Sequence, residues 1–569
     1  MKMTGAQIIC DCLVKEGVEV IYGILGGSVL PLYDTLPQFP QLHHVLVRHE
    51  QGAAHAAEGY ARATGKVGVC FATSGPGATN LVTGIANAYL DSTPIVAITG
   101  QVARRFIGKD AFQEVDITGI TLPITKHNYL VRDTNTLPRI LREAFYIART
   151  GRPGPVLIDV PRDVFQEQVE YHAPGKIEIP TYKPVTKGHP AQIQKAAKLI
   201  NQAQKPLILA GRGVTISGAF EELKKLAETA QIPVVTTLLG ISSFPESHVL
   251  SYRWIGMHGM AYANMAVSNC DLLITVGMRF GDRATMEVSG FAPNAKIIHI
   301  DIDPAEIGKN IRVDVPIVGD VKAVLQPLTK AVAPAQHIEW LQQLDEMRRE
   351  HPSTEIRESA SILPQYVIRS IYEATAGNAT IVTGVGQNQM WAAQHYNYDK
   401  PNTFISSGGL GTMGFGLPAS IGVKMGRPDS TVWVIDGDGS FQMTLHELAT
   451  IVQEKLNIKI AIMNNGFLGM VRQWQELFHG RRYVATPLWG PDFVKLAEAY
   501  GIPGAKVRLK EEVVPAIQKA MTTDGPFLVD FGIEPEENVY PMVPSGANLT
   551  QMLETPKKEE ATWPRRNTL

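Results

Sequence analysis

Short apolar runs alternate with helical stretches along most of the chain, in three blocks. In the first block, HHVLV (43–47), VGVCFAT (67–73) and PIVAITG (94–100) read as strands. The segments between them, EQGAAHAAEGYARAT (50–64) and GATNLVTGIANAYL (77–90), are Ala-rich with helical spacing. The block closes near VLIDVPRDV (156–164), and the polar, Pro-containing stretch 173–190 reads as a linker. The second block offers PLILAG (206–211), PVVTT (233–237), DLLITVG (271–277) and KIIHIDID (296–303). Charged residues 346–358 read as a second linker. TIVTGVG (380–386), TVWVIDG (431–437), IKIAIMNN (458–465) and PFLVDFG (526–532) make the third block. Alternating strands and helices predict an α/β protein of three doubly wound parallel-sheet domains. The boundaries fall at 1–172, 190–335 and 363–535, with 536–569 as a C-terminal tail whose last residues, 555–569, are polar.

A length of 569 residues at a soft ~150 per domain agrees with three or four domains. Hydrophobic residues at 44 % and charged residues at 19 % mark a globular chain. The formal charge of −2 argues against non-specific nucleic-acid binding. No apolar run approaches the ~18 residues of a membrane span. The start also lacks the apolar core of a signal peptide, so a cytoplasmic setting is expected. Four cysteines are too few for a disulfide framework. Cys10 and Cys12 read as two helix thiols rather than a metal pair.

Gly437-Asp438-Gly439 follows the apolar strand TVWVI. Thr444 and Glu447 then have the spacing of a capping box opening the helix LHELATIVQEKL. The next strand ends in Asn464-Asn465. A right-handed crossover makes the two strands parallel, so Asp438 and Asn465 sit on one rim of the sheet, where open α/β sheets bind ligands. A carboxylate and an amide oxygen are hard ligands suited to Mg²⁺, and the glycines allow a diphosphate to approach the backbone.

This spacing resembles the diphosphate and magnesium motif of thiamine-diphosphate enzymes. The resemblance implies that Gly437, Asp438, Gly439, Ser440 and Met413 hold the cofactor. It also implies that Asp438, Asn465 and the Phe467 carbonyl hold Mg²⁺, and that Met443 bends the cofactor. In that family a glutamate from a different subunit hydrogen-bonds the aminopyrimidine. VLVRHEQGAAHAAEGYAR supplies Glu50 there, so a homodimer or dimer of dimers is expected.

Further stretches narrow the family. ITGQVARRFIGKDAFQE, GMHGMAYANMAV, GMRFGDRAT, NNGFLGMVRQWQELF and ENVYPMVPSGANL resemble the large catalytic subunits of acetohydroxyacid synthases over about residues 3–553. That likeness implies condensation of pyruvate with a second pyruvate or with 2-ketobutyrate, in branched-chain amino-acid biosynthesis. It implies FAD in a non-redox role at Gly211, Gly213, Arg279, Asp301 and Asp320. It places Gly26, Phe112 and Gln113 beside the reacting centre. Arg283, Trp474, Met470 and Arg162 are assigned to the substrates, and a small regulatory subunit is a possible partner. A catabolic, FAD-independent acetolactate synthase and a pyruvate oxidase are the alternatives. Four positions depart from the family pattern: Gly281 in RFGDR, Arg162 in PRD, Ala103 in GQVARR and Ser28 in LGGS.

Overall fold

The computed structural model describes residues 1–173, 177 and 179–555. It contains three six-stranded sheets, parallel throughout, each flanked by helices. Residues 174–176, 178 and 556–569 lie outside the described residues, and with them part of the expected first linker and nearly all of the polar C-terminal stretch.

The first sheet consists of β1 (Val20–Gly23), β2 (His43–Leu46), β3 (Gly68–Ala72), β4 (Ile95–Gln101), β5 (His127–Leu130) and β6 (Val156–Pro161). Their spatial order is β2-β1-β3-β4-β6-β5. Between β2 and β3 runs α1 (Glu50–Thr64), the stretch expected as helix. The expected helix 77–90 is broken at Leu81 into Pro76–Asn80 and α2 (Val82–Leu90). A short antiparallel pair, Lys2–Thr4 with Gln168–Glu170, ties the domain's ends together.

The second sheet is built from β7 (Pro206–Ala210), β8 (Val234–Thr236), β9 (Ser251–Trp254), β10 (Leu272–Val276), β11 (Lys296–Asp301) and β12 (Val315–Val318). Its order is β9-β8-β7-β10-β11-β12, the arrangement of dinucleotide-binding domains. Helix α3 (Arg212–Ser217) follows β7, and the single turn α4 (Asp282–Thr285) follows β10. The charged stretch 346–358 is not wholly a linker. Its first residues end α5 (Ile338–Glu350), whose Trp340 and Leu344 are buried against this domain. The Trp340 indole N–H donates to the Pro206 carbonyl at 3.0 Å. High surface charge masked the two apolar anchors that dock it.

The third sheet, β13 (Thr380–Thr383), β14 (Phe404–Ile405), β15 (Val432–Gly437), β16 (Ile458–Asn464), β17 (Gly504–Val507) and β18 (Phe527–Gly532), has the order β14-β13-β15-β16-β18-β17. This repeats the order of the first sheet. Three helices concern the site: α6 (Gly416–Gly426), α7 (Asp438–Gln442) and α8 (Gly469–Phe478). Residues 536–555, expected as a tail, fold back. Val539, Met542, Val543 and Leu549 are buried, and the Val543 N–H donates to Met257 of the second domain at 2.8 Å.

The first and third domains are packed through α1 and α6. Gly59 lies against the Ala419 backbone and Gly422 against that of Ala56, too close for any Cβ. Ala and Gly on both faces permit this approach, so the Ala-rich composition of α1 has a packing cause. All four cysteines are buried free thiols; Cys10 and Cys12 lie on the helix Gly5–Lys15. No described helix is long and apolar enough to cross a membrane.

Candidate active site

Each sheet reverses its winding between its first strand and the neighbour that starts the other half. Ligands of open α/β sheets bind at the carboxyl ends of those two strands. In the third sheet they are β13 and β15. A pocket lies there, lined by Val385, Gly386, Asn388, Gly437, Asp438 and Gly439 among others, with Met413, Ser440, Asn465, Phe467 and Met470 also on its wall. Ser440 receives the Gly414 N–H at 3.0 Å, which joins the loop before α6 to α7.

Asp438 is 2 % exposed, and burial pushes its carboxyl up to about 7 while the Gly466 and Gly439 amides hold it down in part. The Gly466 N–H donates to its Oδ2 at 3.1 Å. The Asn465 Oδ1 receives the Phe467 N–H at 3.1 Å, and its amide donates to Gln387 at 3.2 Å. Among the described residues no three His, Cys, Asp or Glu side chains cluster as a metal site. Asp438, Asn465 and Phe467 instead bring one carboxylate, one amide and a backbone carbonyl to the wall of one pocket. Such a set suits Mg²⁺ when phosphate oxygens complete the shell.

In the second sheet the reversal lies between β7 and β10. The Gly211 N–H donates to Val276 O at 2.8 Å and the Gly213 N–H to Gly277 O at 2.9 Å. A Cβ on Gly211 would stand 2.3 Å from the Gly277 carbonyl oxygen, and one on Gly213 would stand 2.5 Å from the Gly277 Cα. These glycines are required because two strand-end loops touch, a packing reason the sequence does not reveal. A cavity of about 1040 Å³ opens here. Gly213, Arg279, Asp301 and Asp320 line it, as do Arg283, Met470 and Trp474. Met470 and Trp474 share α8, as their spacing predicts. Val385, Gly386, Met413, Met470 and Val471 line both this cavity and the pocket at Asp438, so the two share a wall.

The cavity has features that fit a flavin dinucleotide. Arg212 is half-buried on the cavity wall, desolvation and Arg62 pull its guanidinium down to about 9, and its Nε has no hydrogen-bond partner. Burial pushes Asp301 up to about 7. Asp320 accepts the Ala323 N–H at 3.0 Å as the cap of the following helix. A half-buried cation and two carboxyls at strand ends can serve phosphate and sugar hydroxyls.

In the first sheet the reversal lies between β1 and β3. Gly26 follows β1, and a Cβ there would stand 2.5 Å from the Thr73 Cβ. Glu50, the first residue of α1, is 8 % exposed and receives the Asn80 amide at 2.9 Å. It does not line the pocket at Asp438, whose walls come from the third domain's residues 385–471. Phe112 is 88 % exposed, Gln113 has φ of +60°, and Met443 is 52 % exposed. One chain thus leaves Glu50, Phe112, Gln113 and Met443 outside the pocket around Asp438. Arg162 is exposed on a short helix and lines neither cavity.

Thiamine pyrophosphate enzyme models match all three domains: the N-terminal TPP-binding domain at residues 3–120, the central domain at 193–328 and the C-terminal TPP-binding domain at 384–531. An "Acetolactate synthase" of Mycobacterium bovis is 52 % identical over 561 residues, covering 96 % of this chain and 91 % of the relative. An "Acetolactate synthase large subunit" of Corynebacterium glutamicum is 52 % identical over 559 residues, 96 % of this chain and 89 % of the relative. A "Probable acetolactate synthase large subunit" of Methanocaldococcus jannaschii is 49 % identical over 565 residues, 97 % and 95 % of the two chains.

The chain belongs to the acetolactate synthase large-subunit family. Its domains are those of a thiamine-diphosphate enzyme.

In this family member the expected capping box does not form. The Thr444 hydroxyl donates to Gly414 O at 2.9 Å, and residues 445–447 are a 3₁₀ turn before a short helix, Leu448–Gln453. Glu447 reaches across the domain boundary instead. Its Oε1 receives the N–H groups of Arg48 and His49 at 3.0 and 3.1 Å, and its Oε2 the Thr450 hydroxyl at 2.6 Å. It therefore satisfies amides immediately before Glu50. A local motif could not disclose this partner, which lies about 400 residues away. Sequence reasoning also missed Arg212 and Gln387. Gln387 follows the glycines of TGVG after β13, the one local signal it had.

Proposed function

We propose that the chain forms 2-acetolactate from two pyruvates, and 2-aceto-2-hydroxybutyrate from pyruvate and 2-ketobutyrate, as a biosynthetic acetolactate synthase. The wall shared by the pocket at Asp438 and the large cavity carries this reading. It lets a two-carbon unit generated on one side meet an acceptor keto acid on the other.

Bound thiamine diphosphate supplies a nucleophilic carbon and the electron sink for decarboxylation. Glu50 holds the aminopyrimidine and exchanges a proton with its ring nitrogen. Asp438, Asn465 and the Phe467 carbonyl hold Mg²⁺ against the diphosphate, with Gly437, Gly439, Ser440 and Met413 around it. Met443 would pack against the cofactor, and Gly26, Phe112 and Gln113 would approach the reacting atoms from the other protomer. Arg283 offers two parallel donors to the acceptor's carboxylate. Trp474 and Met470 form an apolar wall for its alkyl group, where one methylene is worth ~1–3 kcal/mol. Gly213, Arg279, Asp301 and Asp320 on the wall of the large cavity, with Gly211 beside them, would hold FAD in a non-redox role. Arg162, exposed in one chain, would approach substrate only across a subunit boundary.

A homodimer is the smallest active unit in this reading. Glu50 is absent from the walls of the Asp438 pocket within one chain, which supports a site completed by a second copy. The name "large subunit" carried by two of the relatives supports a small regulatory partner as well. The test mixes two inactive proteins, Glu50→Ala and Asp438→Ala. After verified subunit exchange, heterodimers regain one intact site and acetolactate formation returns in part. No recovery would refute the shared site. Flavin absorbance of the purified parent separates this reading from a catabolic synthase without FAD.

A further inference from the structure

The loop from Ser406 to Gly414 forms wall for both pockets. Met413 lines the one at Asp438, and residues 407–411 line the large cavity. Gly411 and Gly414 have φ of +73° and +86°, so the backbone here has many shapes of similar energy. Much of what fixes its shape comes from the first domain.

Asp91, which caps the end of α2, receives the Gly409 N–H on Oδ1 at 2.6 Å and the Gly408 N–H on Oδ2 at 3.2 Å. Asn87, one turn earlier, accepts the Ser407 and Thr412 hydroxyls at 2.6 and 2.8 Å. The Thr412 N–H donates to Ser407 Oγ at 2.9 Å and closes the ring. Arg62 of α1 donates to the Ser406 carbonyl at 2.6 Å and to Asp91 at 3.4 Å. Beneath them Glu58 receives the Asn87 amide at 2.7 Å and the Thr93 hydroxyl at 3.1 Å. Thr93 in turn accepts from Arg212 at 2.9 Å, and Arg212 lines the large cavity. Asn87, Asp91 and Glu58 are at most 1 % exposed, so water cannot replace a lost partner.

We infer that Asn87 and Asp91 are positioning residues. They hold the 406–414 loop in the shape that admits the diphosphate, although neither lines the pocket at Asp438. This rests on the reading of that pocket as the thiamine-diphosphate site. In Asp91→Asn the amide nitrogen must face one of the two loop N–H groups, leaving a buried donor unpaired while volume is conserved. Ser407→Ala removes the other grip from the loop side.

The test measures binding of thiamine diphosphate in saturating Mg²⁺ by calorimetry, with the melting temperature recorded for each protein. Asp91→Asn raises Kd by ~10-fold or more, the scale of one lost charge-assisted hydrogen bond. Ser407→Ala raises it in the same direction. Variants that bind like the parent overturn the inference. So does a lowered melting temperature with unchanged Kd, which would reduce both residues to fold support. If Asp91→Asn does not fold, Ser407→Ala decides alone by the same criterion. A parent that binds no thiamine diphosphate overturns the underlying reading instead.

Discussion

Replacing Glu447 by alanine tests whether the third domain sets the start of the helix that carries Glu50. The carboxylate is fully buried, and burial pushes it above the usual range while Thr450 and the amides of Arg48 and His49 pull it back in part. Glu447→Ala removes the acceptor of two backbone N–H groups and one hydroxyl. A hydrogen bond to a charged group is worth ~1.5–3 kcal/mol. The two amides alone give ~3–6 kcal/mol, and water entering the vacated space favours the lower end. At ~2–4 °C per kcal/mol for domains of this size, the melting temperature falls by roughly 6–12 °C. Glu447→Gln keeps an oxygen that can accept both amides, so it loses less than half of that. The assay is differential scanning calorimetry of parent and both variants, with kcat measured below the transition. An alanine variant melting within about 2 °C of the parent, a shift of under ~1 kcal/mol, would refute the cross-domain cap.

Glu50→Gln keeps its oxygen for Asn80 and should fold and bind cofactor normally. Its turnover should drop ~10²–10⁴-fold, and near-normal turnover would remove Glu50 from the proton relay. Asp438→Ala should bind thiamine diphosphate poorly at any practical Mg²⁺ level; unchanged affinity in a calorimetric titration counts against the metal assignment. His55, buried edge-on against Phe415, has its pKa lowered by burial to about 3. The unfolded chain, with a pKa of ~6.5, takes up that proton first, so the neutral ring's contribution is present above ~6.5 and is lost as pH falls toward 3. Between pH 7.5 and 5 the parent should lose ~2 kcal/mol more stability than His55→Gln. Equal losses in urea titrations would contradict the burial argument.

Much of the fold was legible because buried parallel strands are continuous apolar runs with polar or glycine ends. Every strand so read in the three blocks is present, within a residue or two for most. The missed strands lie mostly at sheet edges: His127–Leu130, Ser251–Trp254, Val315–Val318, Phe404–Ile405 and Gly504–Val507. There one side has no neighbour, and the apolar signal weakens. Val20–Gly23 is central but four residues long, and short runs are ambiguous by periodicity. Asp438 and Asn465 were legible because strand ends and a right-handed crossover place them on one rim. Glu447, Asn87 and Asp91 were not, since their partners come from another domain. Phe112 and Met443 are exposed in the single chain, and the proposed reading leaves them to be covered by a second copy.

The central claim is the reaction itself. The most direct measurement supplies the purified chain with thiamine diphosphate, Mg²⁺ and FAD, adds pyruvate with 2-ketobutyrate, and separates the products by mass. The account predicts 2-acetolactate and 2-aceto-2-hydroxybutyrate, one CO₂ released per product, with no consumption of an electron acceptor. Pyruvate loss that yields neither product, or that proceeds in step with reduction of an electron acceptor, would contradict it.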